Sequence, residues 1–139
     1  MVNPDIIKKR LLEMDENLKI LVDLQKISKE DFIKDPKIFK LAERCLELCI
    51  QVLLDVCLYI IANNNWPRTP DNQGAISTMA QHKVIPEEFA KRIIPMAGFR
   101  NILVHEYFKI DPNKTYGHLQ KLQDFREFQK YIIAYLKSL

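Results

Sequence analysis

Residues 35–62, DPKIFKLAERCLELCIQVLLDVCLYIIA, contain one proline, at the second position, and no glycine. Asp35 suits a helix N-cap, and Pro36 suits the first helical position, where its missing N–H costs no hydrogen bond. From there to about Ala62 nothing breaks a helix. In the central part the polar residues Glu47, Gln51, Asp55 and Tyr59 recur every four positions, which gathers them into one narrow stripe. The rest of that stretch is apolar. A helix this apolar lies at the centre of a bundle, or is covered again by a second subunit. Its stripe can be solvated, bonded inside the core, or turned towards a dimer cleft. The same polar residues argue against a membrane span.

Outward from this helix the chain keeps helical period. On the N-terminal side Ile7, Leu11, Met14, Leu18, Leu21 and Leu24 recur every three or four residues, predicting a helix over 4–27 that starts at Pro4-Asp5. Ser28 and Asp31 open a short turn of helix over 29–34. On the C-terminal side residues 63–72 hold two prolines and four asparagines and read as a loop whose Trp66 plugs the bundle end. Residues 75–81 form a short helix ended by His82. Pro86-Glu87-Glu88 opens another helix, bent at Pro95. Asp111-Pro112 starts the last one, with a bend near Lys121. Its inward stripe is Tyr116, Leu119, Leu122, Phe125, Phe128, Ile132, Ile133 and Leu136. The expectation is an all-α bundle of four main helices with short extra pieces, forming one domain over residues 1–139.

Composition agrees. The 139 residues are 47% apolar and 28% charged, with three glycines. The net charge of +3 permits an anionic partner without requiring one. Residues 109–139 supply a surplus of that size: Lys109, Lys114, Lys121, Arg126, Lys130 and Lys137 against Asp111, Asp124 and Glu127. Cys45, Cys49 and Cys57 lie near one helix face and read as small buried hydrophobes in a reducing compartment. No second Cys or His pair at ligand spacing accompanies them, so no metal site is expected. The N-terminus runs directly into an amphipathic pattern without a signal peptide, so a soluble, cytoplasmic protein is expected.

The chemistry concentrates in Phe99-Arg100-Asn101-Ile102-Leu103-Val104-His105-Glu106-Tyr107. On a wheel at about 100° per residue, Met96, Phe99, Ile102, Leu103 and Glu106 occupy the half that packs inward. Ala97, Arg100, Asn101, Val104, His105 and Phe108 occupy the other, with Tyr107 beside Arg100. Asn101 and His105 are one turn apart, so the amide can orient the imidazole. Two copies about a two-fold axis would bring both Arg100 and both His105 into one cleft. These groups suit RNA cleavage without a metal. An imidazole takes the proton from a ribose 2′-hydroxyl or delivers one to the leaving oxygen. A guanidinium grips the phosphate and stabilises its extra charge. A bland reading competes: His105 as a favourable cation at a helix C-terminus, Arg100 as a surface ion-pair partner, Tyr107 as a half-buried packing residue.

The motif Arg100-Asn-x-x-Val-His105-x-Tyr107 resembles the signature of the HEPN superfamily, and the tyrosine two residues after the histidine resembles the HepT toxin family. The resemblance extends to Glu43-Arg44, the proline-containing loop before a short helix, Val84-Ile85-Pro86, the run from Met96 to Asn101, and Asp124-Phe125. It implies a HEPN-type bundle of four to five helices, homodimeric, with its cleft at the interface. It implies a metal-independent ribonuclease toxin that needs no cofactor, with Arg100 and His105 catalytic and Asn101 supporting. It also implies an antitoxin of the minimal nucleotidyltransferase type, MntA, which neutralises the toxin by transferring AMP from ATP to Tyr107. A second reading is a non-catalytic helical partner that presents a substrate to such a nucleotidyltransferase.

Overall fold

The computed structural model describes all residues, Met1–Leu139. Seven α-helices and one 3-10 turn follow in order: α1 Pro4–Gln25, α2 Lys29–Lys34, α3 Pro36–Asn63, α4 Asn72–Gln81, α5 Glu87–His105, the turn Tyr107–Lys109, α6 Pro112–Leu119 and α7 Gln123–Lys137. There is no strand.

Helix starts are set by short acceptor side chains. Asn3, Asp35, Asp71 and Asp111 accept backbone N–H groups of Asp5, Lys37, Gly74 and Asn113 at 3.0, 3.0, 2.7 and 2.9 Å. Each satisfies a donor that the first turn leaves unpaired. Three of these caps precede a proline in the first turn. Asp71 starts α4 at Asn72, three residues earlier than the apolar period indicates. Gly74 makes this possible, because a Cβ there would stand 2.7 Å from the Cβ of Thr69.

Helix α3 is the axis. It packs against α1, α4, α5 and α6, and touches α2 and α7. Twelve of its residues are buried, from Ala42 to Ile61. Each fully buried aliphatic side chain contributes roughly 1.5–3 kcal/mol. By length and composition the helix could cross a membrane, but 61% of its most apolar window is buried inside the bundle. A single chain therefore covers most of this apolar surface. Leu41 and Leu58 are its large apolar residues left exposed.

The remaining stripes pack as the period predicts. In α1 the buried set is Ile7, Leu11, Met14, Leu18, Leu21 and Leu24. In α6 and α7 it is Leu119, Leu122, Phe125, Phe128, Ile132 and Leu136, while Tyr116 and Ile133 are only partly covered. The expected bend near Lys121 is a break: α6 ends at Leu119 and α7 begins at Gln123. Helix α5 continues through Pro95, whose ring is exposed. Trp66 caps one end of the core and stacks on His82, ring centroids 3.7 Å apart, as His82 closes α4. The three thiols are buried. Burial pushes Cys49 and Cys57 up to about 12, so both stay protonated and inert at neutral pH.

Candidate functional site

Helix α5 carries the candidate residues and is anchored on both sides. Phe99 is buried and stacks on His118 of α6, centroids 3.9 Å apart. Burial, with Lys121 adding to it, lowers the pKa of His118. Met96, Ala97 and Leu103 complete the buried side. The wheel is right for Met96, Phe99 and Leu103 but wrong for Ala97, which is 1% exposed. A methyl group is small enough to be enclosed where Val104, two turns on, remains open.

The helix stops at His105. Glu106 leaves the helical region with φ −134°, and Tyr107–Lys109 form a 3-10 turn tied by Lys109 N–H to the Glu106 carbonyl at 2.7 Å. Tyr107 therefore does not sit above Arg100 as a continued helix would place it. It stands on the turn, 74% exposed, beside Phe108 at 73%. A shallow cavity of about 260 Å³ adjoins it, lined by Lys40, Glu43, Arg44, Glu47, Leu103, Tyr107 and Ile110. Burial raises the pKa of Glu43 in its wall, partly offset by Lys40.

Asn101 and His105 share the exposed face of α5. No hydrogen bond joins them within one chain. Arg100 turns elsewhere: five residues advance about 140° around a helix, so Arg100 and His105 diverge on one chain. The guanidinium reaches α3, where its Nε and one terminal nitrogen donate to Gln51 Oε1 at 3.1 and 2.7 Å.

That contact explains the polar stripe of α3, which sequence reasoning left open. Gln51 Nε2 donates to Asp55 Oδ1 at 2.7 Å, and Asp55 pairs with Arg10 of α1, which also pairs with Glu13. Glu47 pairs with Arg44 at 2.7 Å. The Tyr59 hydroxyl accepts the Asn3 N–H at 3.0 Å. All four stripe residues thus bond within the chain, at its half-exposed edge. Gln51 is the site residue that the sequence did not assign; its place on a polar stripe in an apolar helix was the one available signal.

Residues 14–132 match the family described as ribonuclease HepT-like. A tRNA nuclease HepT from Aphanizomenon flos-aquae is 30% identical over 139 residues, covering 99% of this chain and 95% of that one. An mRNA nuclease HepT from Shewanella oneidensis is 26% identical over 101 residues, covering 72% of this chain and 73% of that one. Among solved structures, the tri-AMPylated Shewanella oneidensis HEPN toxin in complex with its MNT antitoxin superposes with a TM-score of 0.86 at 22% identity, covering 96% and 99% of the two chains. At that identity the superposition speaks for the fold. The family match and the relatives speak for more: the chain belongs to the HepT-like ribonuclease family.

Proposed function

We propose that this chain cleaves RNA without a metal ion, as a cytoplasmic homodimer whose cleft holds Arg100, Asn101 and His105 from both copies. The supporting observation is the exposure and divergence of these groups. His105 lies open at the end of α5, and Arg100 presents a guanidinium with no carboxylate partner. His105 makes no side-chain hydrogen bond within the chain, Arg100 bonds only to a neutral amide, and on one chain the two point apart. A two-fold axis along this face brings the missing neighbour to each.

In that cleft an imidazole of His105 removes the proton from a ribose 2′-hydroxyl. The 2′-oxygen attacks phosphorus, the bond to the 5′-oxygen breaks, and an imidazolium or water returns a proton to that oxygen. The products are a cyclic phosphate and a free 5′-hydroxyl. Arg100 holds the non-bridging oxygens and stabilises their growing charge. Asn101 orients the phosphate or the imidazole across the interface. DNA lacks the internal nucleophile. The substrate is RNA, the class named for both nuclease relatives.

Regulation falls to Tyr107. Its ring stands free on the turn after the motif, within reach of a modifying enzyme. A minimal nucleotidyltransferase antitoxin of the MntA type would transfer AMP from ATP to the phenol oxygen and release pyrophosphate, and the added phosphodiester charge would repel RNA from the cleft. The solved toxin complex supports this reading by analogy.

The test is purified, unmodified protein incubated with RNA and EDTA. Cleavage should persist, with cyclic phosphate ends, and His105→Ala should slow it by about 10²–10⁴-fold. Full activity in His105→Ala would remove the imidazole from the mechanism. Absence of any cleavage by folded wild-type dimer would favour a non-catalytic docking module.

A further inference from the structure

The arginines of the bundle differ in how they are held. Arg10, Arg44, Arg92 and Arg126 each pair with at least one carboxylate. Arg100 is held instead by a neutral amide, through two donors converging on one oxygen. The other terminal nitrogen makes no bond within the chain and is open to solvent.

The orientation of the Gln51 amide follows from chemistry. A guanidinium has only donors, so the amide atom facing it must be the oxygen. The NH2 group must then face Asp55, and a carboxylate accepts what it offers. Arg10 holds Asp55 from the far side. The chain Arg10, Asp55, Gln51, Arg100 runs through α1, α3 and α5, alternating donor and acceptor at each step. Each helix is rigidly packed at that point: Ile7 and Leu11 flank Arg10, Leu54 and Val56 flank Asp55, and Phe99 precedes Arg100, all buried.

We infer that Gln51 is the positioning residue for Arg100: it fixes the direction of the guanidinium through two hydrogen bonds while leaving its positive charge undiminished, and Asp55 and Arg10 fix Gln51 in turn. This rests on the proposed catalytic role of Arg100. A glutamate at the same place would still offer Arg100 an acceptor, but it would offset the charge that an RNA phosphate has to meet and would replace the N–H donated to Asp55 by a second carboxylate oxygen. A leucine would leave the charge intact and lose the aim, and misplacement of a reacting group by about 1 Å can cost a hundredfold in rate.

The experiment measures kcat and KM for RNA cleavage by unmodified full-length protein, with Arg100→Ala, Gln51→Leu and Gln51→Glu, alongside melting curves to show that each variant is folded. Gln51→Leu should lower kcat by about tenfold to a hundredfold with KM within a few-fold of wild type. Gln51→Glu should mainly raise KM and lower kcat/KM by about tenfold. If Gln51→Leu fails to fold, Gln51→Glu still decides, since it keeps the size and the acceptor oxygen facing Arg100 and loses the N–H donated to Asp55. The inference is overturned if Arg100→Ala abolishes cleavage while the folded Gln51 variants keep wild-type kcat and KM. Wild-type cleavage by Arg100→Ala would overturn the catalytic reading itself, and with it the role given to Gln51.

Discussion

Arg92 and Arg100 lie two turns apart on α5 and are held in opposite ways. Arg92 faces α7. It donates to Asp124 at 3.0 Å, pairs also with Glu127, and rests over the Phe89 ring at 5.1 Å. Both carboxylates raise its pKa, which is the mark of a charge already matched. Asp124, 9% exposed, is the one buried acid of the molecule, and Arg92 is what it is matched to. Arg100 faces α3 and meets an amide. The first arginine ties α5 to α7; the second is held by a neutral amide, with no carboxylate to offset its charge. A guanidinium with a carboxylate is already paired, whereas one with a carbonyl oxygen still has its charge to offer.

This contrast can be broken or sharpened from either end of the helix. The largest effect is expected at Gly98, one turn before Asn101 and on the same face. A Cβ there would meet nothing within 4 Å in the chain. A glycine inside a helix costs roughly 0.5–1 kcal/mol relative to alanine, and no packing within one copy explains it. Close approach of a second copy, as in the proposed dimer, would explain it. Gly98→Leu should therefore leave the monomer folded but dissociate the dimer and reduce cleavage by about a hundredfold or more, read by light scattering and RNA cleavage at one concentration. A dimeric, active Gly98→Leu would move the interface away from this face.

A second effect separates chemistry from control. Tyr107→Phe should prevent the first mass increment of AMP on co-expression with the nucleotidyltransferase and ATP. Purified Tyr107→Phe should cleave RNA at a rate within about twofold of wild type, since the phenol makes no hydrogen bond in the chain and is 74% exposed. Addition of AMP to Tyr107→Phe at the wild-type rate would place the acceptor elsewhere.

The smallest effect concerns the scaffold under the motif. His118 is partly buried against Phe99, and its pKa is lowered from 6.5. The unfolded chain takes up this proton at a higher pH than the folded one. Its contribution to stability is therefore complete above about pH 6.5 and is lost as pH falls through the lowered folded value. Melting temperature should decline over that acid window, and His118→Phe should flatten the decline while keeping the stack. An unchanged slope in His118→Phe would assign the acid sensitivity to other groups.

Much of the bundle was legible because its signals are local. Asp-Pro at 35–36 and 111–112 marks helix starts by chemistry confined to four residues, and the α1 stripe is a simple period. The motif was legible too, as a cluster of polar residues against that period. The end of α5 was not. Nothing local forbids helix after His105; the chain leaves because Glu106–Lys109 close a tighter turn ahead of Asp111-Pro112, and Tyr107 moves off the Arg100 face with it. Gln51 was not legible as a partner of Arg100, since 49 residues separate them and only the packing of α5 on α3 brings them together. The apolarity of α3 left open the centre of a bundle or cover by a second subunit, and six neighbouring helices in the same chain pack on it. The face left open for a second copy is that of Gly98, Asn101, Val104 and His105.

The central claim is that Arg100, held by the Gln51 amide and not by a carboxylate, acts on RNA while Arg92 serves the fold. It is tested most directly by cleavage of one RNA in EDTA by unmodified Arg100→Ala and Arg92→Ala proteins, each shown to be folded and dimeric. Arg100→Ala should lose about 10²–10³-fold in rate with little change in melting temperature. Arg92→Ala should melt earlier and keep a rate within about twofold of wild type. Equal losses in the two variants, or wild-type cleavage by Arg100→Ala, would contradict it.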